Sequence, residues 1–323
     1  MIDPRAFATF CAHGGRVAEA RDLFGGDDWI DLSTGIAPWS RPVENLPLGL
    51  DRLPEPGALA ALESTAALAF GVADPAGVVA VPGTDMAMRL LAPLIGAERP
   101  AVVQPGYAGH RAAWPDADPI GGVDALADHD LIVLASPANP DGHVTDRAIL
   151  LTLGEHRTLV VDEAYADPAP GLCAMASDRL IVLRSFGKFY GLPGLRLGFV
   201  VTGRDLAVRL RAMLGDWPVS SPAIAIGTDA YSDDAWRAEQ QARIAGMGDR
   251  LDALFDASGI RLLGRAPLFR LVAHDRAHAL FAALARAAIL TRPFTDQTNR
   301  LRIGLPRGTT ALARLAAALE EFR

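Results

Sequence analysis

Lysine is almost missing from this chain of 323 residues, whose 31 basic residues comprise 30 arginines and one lysine, Lys188. Arginine supplies positive charge as well as lysine or better, so position 188 needs something other than charge. What a guanidinium lacks is a primary amine that loses its proton near neutral pH and attacks a carbonyl. Cysteine is scarce as well. Cys11 and Cys173 have no metal-ligand spacing and are too few for a disulfide framework, so no metal is expected and a reduced, cytoplasmic location follows. His274 and His278 stand at i and i+4 without a further ligand signature and read as surface residues. No apolar run reaches spanning length, and no basic start leads into an apolar signal segment, so no membrane association is expected. A formal charge of −7 gives no reason to expect nucleic acid as a partner. Low-complexity tracts are absent too, and an apolar fraction of 50% at this length predicts a large core and two lobes.

What is present is a series of short apolar runs, each ending in polar residues. Leu180-Ile181-Val182-Leu183 delivers Ser185 and Lys188 at its carboxyl end, which is where ligands sit in open α/β sheets. Gly187, Gly191, Pro193 and Gly194 then predict a tight irregular turn before Leu197-Gly198-Phe199-Val200-Val201. Thr158 to Val161 runs into Asp162-Glu163-Ala164-Tyr165, and Leu131 to Ala135 runs into Ser136-Pro137-Ala138-Asn139. Gly77 to Val81 leads to Pro82-Gly83-Thr84-Asp85, followed by helical spacing at Met86, Leu90, Leu91 and Leu94; Ala101 to Val103 leads to Tyr107. Near-continuous apolar runs of this length suit a parallel sheet covered on both faces. Its strand ends would present Thr84, Tyr107, Asn139, Asp162 and Lys188 in chain order.

The series Asn139, Asp162, Tyr165, Lys188 and Arg196 resembles the pyridoxal-phosphate enzymes of the aspartate aminotransferase fold type. Within that superfamily the chain is most similar to the L-threonine O-3-phosphate decarboxylases of cobalamin biosynthesis, a sister group of the histidinol-phosphate aminotransferases. The resemblance implies an α/β fold of type I: a large domain with a mainly parallel sheet covered by helices, and a smaller α+β domain. It implies pyridoxal 5'-phosphate as cofactor, a phosphorylated amino acid as small-molecule partner, and a homodimer. Lys188 would hold the cofactor aldehyde as a Schiff base and then act as general acid/base. Asp162 would keep the pyridine nitrogen protonated, making the ring an electron sink. Tyr165 and Asn139 would donate to the phenolic oxygen, and Tyr107 would stack on the ring. Gly83, Thr84 and Asp85 open a helix whose amides would receive the cofactor phosphate, with Asp85 a candidate cap, and Ser185 and Arg196 would complete that cradle.

For the substrate, Arg302 matches the superfamily's carboxylate-binding arginine, Arg292 a second arginine of the phosphate-recognising branch, and His13 the amino-terminal arm that contacts substrate phosphate; Asn139 would lie beside the substrate as well. Two positions depart from the pattern. Leu53 stands where relatives often carry a tyrosine that reaches across a dimer interface, and Ala37 where an asparagine is common. The cofactor-binding domain is expected at residues 41–216, with residues 1–40 and 217–323 forming the arm and the small domain. A long helical stretch is expected over about 221–257, then short strands alternating with helices. The resemblance implies decarboxylation if the Cα–carboxylate bond stands perpendicular to the ring, and transamination if the Cα–hydrogen bond does. A transcription regulator carrying this fold would need a winged-helix domain, for which the chain has no room before His13.

Overall fold

The computed structural model describes residues 4–44, 46, 48–125 and 128–322. The chain divides into two compact units, one of Ser40–Asn139 with His143–Glu239 and one of Met1–Trp39, Pro140–Gly142 and Gln240–Arg323.

The first unit is built on a seven-stranded sheet in the order Val78–Val81, Gly198–Val201, Leu180–Ser185, Thr158–Asp162, Leu131–Ala135, Pro100–Val103, Asp118–Ile120. Gly198–Val201 is antiparallel to both its neighbours, and the other pairings are parallel. The central strands are buried along most of their length, as their unbroken Val, Ile and Leu runs require of a sheet covered on both faces. Parallel strands in register bring their carboxyl ends to one edge. Asp162 stands opposite Ala135 on one side and Leu183 on the other, so the turns carrying Asn139, Asp162 and Lys188 follow from adjacent strands.

This unit runs past residue 216 to Glu239 because the helix Ser221–Ser232 has its apolar side inside it. Tyr231 is buried edge-on to Phe70 and Phe199, at 5.2 and 5.5 Å between ring centroids. A side chain at Gly227 would come within 2.8 Å of Leu197 and of Leu62 on the helix Pro56–Phe70, so the two helices touch there through glycine. The expected single helix over 221–257 is two helices, Ser221–Ser232 and Asp234–Ala257. Asp233 separates them, its carboxylate accepting the Trp236 amide at 2.9 Å as an N-cap does.

The second unit carries a four-stranded antiparallel sheet in the order Arg292–Pro293, Arg300–Gly304, Phe269–Ala273, Arg261–Ala266, with the helices Ala277–Arg286 and Gly308–Glu321. The spacing of Leu312, Leu315, Leu319 and Phe322 predicts one buried face for the last helix; Leu315 and Leu319 are buried together with Ala318, whereas Leu312 and Phe322 are only half-buried. A parallel pair, Ile30–Asp31 with Ile289–Leu290, adds the amino-terminal segment. Phe7, Phe10 and Phe24 all pack on Phe281, within 6.2 Å between centroids. His278 is not a bare surface residue: its ring lies 4.4 Å from Phe7 and its Nε2 is 2.9 Å from the Phe294 carbonyl. No helix among the described residues is long and apolar enough to cross a membrane.

Candidate active site

Lys188 lies in the one-turn helix Phe186–Phe189 directly after its strand, with Nζ 5.8 Å from the centre of the Tyr165 ring. Aromatic packing fixes that turn. Phe186 stacks on Tyr190 at 4.3 Å and Tyr190 on Trp236 at 5.7 Å, and the Arg41 guanidinium caps the stack 5.3 Å from the Trp236 ring. Arg41 is held in turn by Asp229 at 2.7 Å and Asp233 at 2.6 Å. Its amide donates to the Tyr190 carbonyl at 2.8 Å, and Ser40 Oγ donates to the Gly191 carbonyl at 2.8 Å. Arg41 therefore fastens the lysine turn from a position 147 residues earlier, which no sequence pattern signals.

Asp162 is 6% exposed. Its Oδ1 accepts the Ala164 amide at 3.1 Å, and its Oδ2 lies 3.0 Å from His110 Nε2. An ionised carboxylate only accepts, so the His110 tautomer that satisfies this contact carries its proton on Nε2. His110 belongs to none of the sequence motifs above. The available signal is its place three residues after Tyr107 on the helix Ala108–Ala113, one face of a first turn. Below Asp162, the fully buried Arg184 pairs with Glu163 Oε2 at 3.0 Å and with Asp167. This ties the end of the Asp162 strand to that of the Ser185 strand.

Tyr107 caps the helix Ala108–Ala113 and stands edge-on to His110, its hydroxyl donating to Asp85 Oδ1 at 3.2 Å. Burial, reinforced by the Asp85 charge, raises the Tyr107 hydroxyl to about 12, so it stays a donor throughout the physiological range. Gly109 makes this possible, since a side chain there would overlap the Tyr107 ring and lie 2.8 Å from Asp85 Oδ1. Gly109→Ala is expected to weaken cofactor binding about tenfold, by the ~1–3 kcal/mol that overpacking costs. Titration of the apoprotein with cofactor measures this, and unchanged affinity would mean Tyr107 plays no part there.

The helix Thr84–Ile95 begins at Gly83, which has φ +89° and is itself the cap residue. Asp85 is therefore not the cap. It stands in the first turn, where its carboxylate takes the Tyr107 hydroxyl and Arg89 Nε at 3.2 Å each. A Cβ on Gly83 would come within 2.6 Å of Arg196 Nη2, so the guanidinium sits directly against the helix start. Arg196 has φ 55°, in the left-handed region, and donates to the Pro193 carbonyl at 3.1 Å. A cation at the positive end of a helix is electrostatically unfavourable by itself. The arrangement is relieved by an anion held between guanidinium and amides. Ser185 ends the neighbouring strand, paired with Gly198, where an added Cβ would come within 3.1 Å of Thr84. Anion cradle, buried carboxylate and lysine together fit a phosphorylated pyridine aldehyde.

Arg302, Arg292 and His13 belong to the other unit. Arg302 is 7% exposed, donates from Nη2 to the Ser33 carbonyl at 2.7 Å, and lies 5.0 Å from the Phe269 ring. Arg292 donates from Nη2 to the Ala12 carbonyl at 2.7 Å, at the end of the helix Pro4–Ala12. The two arginines face each other as register partners of adjacent antiparallel strands. Like charges directly opposite are destabilising, a cost that an anionic group placed between them would offset. His13 follows Ala12 and is exposed. Leu53 is 61% exposed and Ala37 is buried. No cluster of three or more metal-ligating side chains occurs among the described residues.

Residues 120–319 match the family model for aminotransferase class I and II. The chain belongs to this family. Along its length it is similar to the threonine-phosphate decarboxylase of Pseudomonas aeruginosa, 37% identical over 96% of this chain and 98% of that protein, and to that of a Sinorhizobium species, 38% identical over 95% and 97%. Its fold is that of the histidinol-phosphate aminotransferase from Sinorhizobium meliloti, solved in complex with pyridoxal-5'-phosphate; the TM-score is 0.81 with 21% identity, over 94% of this chain and 93% of that one.

Proposed function

We propose that this protein is a pyridoxal-phosphate-dependent carboxy-lyase that converts L-threonine O-3-phosphate into 1-aminopropan-2-ol O-phosphate in cobalamin biosynthesis. The observation that carries the reading is the end-to-end likeness to two threonine-phosphate decarboxylases. The opposed Arg292 and Arg302 agree with it, because the substrate carries two anionic groups.

When bound, pyridoxal phosphate supplies a protonated ring that accepts the electron pair released from a bond at the substrate Cα. The amides of Thr84 and Asp85 with Ser185 and Arg196 would hold its phosphate. Lys188 would anchor its aldehyde, and Asp162, oriented by His110 and the Ala164 amide, would keep a proton on the ring nitrogen. Tyr165 and Asn139 would donate to its phenolic oxygen, and Tyr107 would lie against the ring. Arg302 grips the substrate carboxylate with its planar fork. Arg292 and His13 take the substrate phosphate, and Asn139 lies beside the substrate. The carboxylate leaves as carbon dioxide, and Lys188 Nζ delivers a proton to Cα in its place. Mass spectrometry of the reaction with L-threonine O-3-phosphate should find 1-aminopropan-2-ol O-phosphate. A 2-oxo acid phosphate would identify a transaminase instead.

The same reading includes a homodimer in the cytoplasm. Leu50, Leu68 and Trp217 are 80, 81 and 54% exposed, large apolar surfaces that a second copy would cover. The thiols of Cys11 and Cys173 are free, in keeping with a reducing compartment. Sedimentation equilibrium should give twice the 34.1 kDa chain mass; a monomer at micromolar concentration would contradict the dimer.

A further inference from the structure

The His13-Gly14-Gly15 turn is held at both ends. Before it, the Ala12 carbonyl accepts Arg292 Nη2 at 2.7 Å. After it, the Gly15 amide donates to Ser33 Oγ at 2.8 Å. Ser33 is 1% exposed and uses every polar atom it has. Its hydroxyl donates to Asp31 Oδ1 at 2.5 Å, its amide donates to the same oxygen at 2.8 Å, and its carbonyl accepts Arg302 Nη2 at 2.7 Å. The contact is too close for a side chain at Gly14, where a Cβ would lie 2.5 Å from the Ser33 carbonyl oxygen and 2.9 Å from its hydroxyl. Position 33 is set by the strand Ile30–Asp31, which pairs with Ile289–Leu290 just before Arg292, and by Leu32, whose carbonyl accepts the Gly304 amide at 2.7 Å. One serine thus touches the arginine on one side and the histidine turn on the other.

We infer that Ser33 is a positioning residue for substrate specificity, its hydroxyl placing the His13 turn relative to Arg302 so that substrate phosphate and carboxylate are read together. This rests on the proposal above that His13 and Arg302 contact the substrate. A histidine on a two-glycine turn gains little from binding an anion if the turn must first be ordered, because that ordering costs conformational entropy. Ser33 removes much of that cost beforehand. Its hydroxyl bears on the phosphate end of the substrate, while the main-chain carbonyl that holds Arg302 survives any side-chain change.

The test is a double-mutant cycle in the holoenzyme with Ser33→Ala and His13→Ala. Ser33→Ala should raise KM for L-threonine O-3-phosphate about five- to tenfold, the loss of one hydrogen bond, with kcat within about twofold. Inhibition by L-threonine, which has no phosphate, should be unchanged. The double variant should be no worse than His13→Ala alone, since the serine acts through the histidine turn. Additive losses, or equal losses for both ligands, would show a merely structural serine and overturn the inference. If His13→Ala leaves phosphate discrimination intact, the substrate role of His13 falls and this inference with it. If His13→Ala abolishes discrimination and Ser33→Ala leaves it untouched, the inference alone falls. Should Ser33→Ala fail to fold, amide hydrogen exchange in the wild-type protein decides. Residues 13–15 should be slowed further by L-threonine O-3-phosphate and not by L-threonine, and equal protection by both would overturn the inference.

Discussion

Arginine in place of Lys188 is expected to lower turnover by about a thousandfold or more, the scale of a lost nucleophile and general acid/base. The substitution keeps the positive charge and removes the titratable amine. A guanidinium there would still have the Tyr165 ring beside it, whose centre lies 5.8 Å from Lys188 Nζ, so cofactor binding should outlast activity. Because the chain has no other lysine, borohydride reduction of the wild-type holoenzyme should fix one cofactor mass on the peptide containing Lys188 and nowhere else. Activity near wild type in Lys188→Arg would end the covalent assignment.

Asp162→Asn should be comparably damaging, with turnover reduced from about a hundredfold to several thousandfold. The estimate follows from the ~3–5 kcal/mol lost when one partner of a buried charge pair is removed, converted at about 1.4 kcal/mol per tenfold. Asparagine preserves size, and its oxygen can still take the Ala164 amide that Asp162 Oδ1 takes at 3.1 Å. Its NH₂ group would then face His110 Nε2 at a contact now 3.0 Å long, which the ring can accept only by moving its proton to Nδ1, and the charge opposite the cofactor nitrogen is lost in either case. Asp85→Asn is expected to cost less than tenfold, because asparagine retains an oxygen for the Tyr107 hydroxyl and the Gly83 helix start is unaltered. Steady-state kinetics with circular dichroism as a folding control compares the two, and equal damage would mean the carboxylate roles are misassigned.

Much of this architecture is legible in the sequence, because the parallel sheet announces itself through unbroken apolar runs and its ligand edge through the polar residues that end them. Thr158 to Val161 followed by Asp162, and Leu180 to Leu183 followed by Ser185 and Lys188, needed only strand periodicity to be placed side by side. Contacts made by distant segments left no such trace. Arg41 fastening the lysine turn, Ser33 joining the His13 turn to Arg302, and Arg184 binding Glu163 and Asp167 all depend on chain crossings that composition does not encode. Trp217-Pro218 reads as a break, whereas the tertiary packing of Tyr231 on Phe70 and Phe199 keeps the next helix with the large sheet. Asp85 reads as a cap in the sequence because an acidic residue at a helix start is usually one, whereas Gly83, with φ +89°, occupies that place.

The most direct test of decarboxylation is carbon dioxide released per mole of holoenzyme from L-threonine O-3-phosphate with no 2-oxo acid present. A decarboxylase returns its cofactor to the aldehyde form each cycle, so release should continue for many turnovers with the visible cofactor absorbance preserved. Bleaching to the amine form within one turnover, without carbon dioxide and with activity restored by 2-oxoglutarate, would contradict the account.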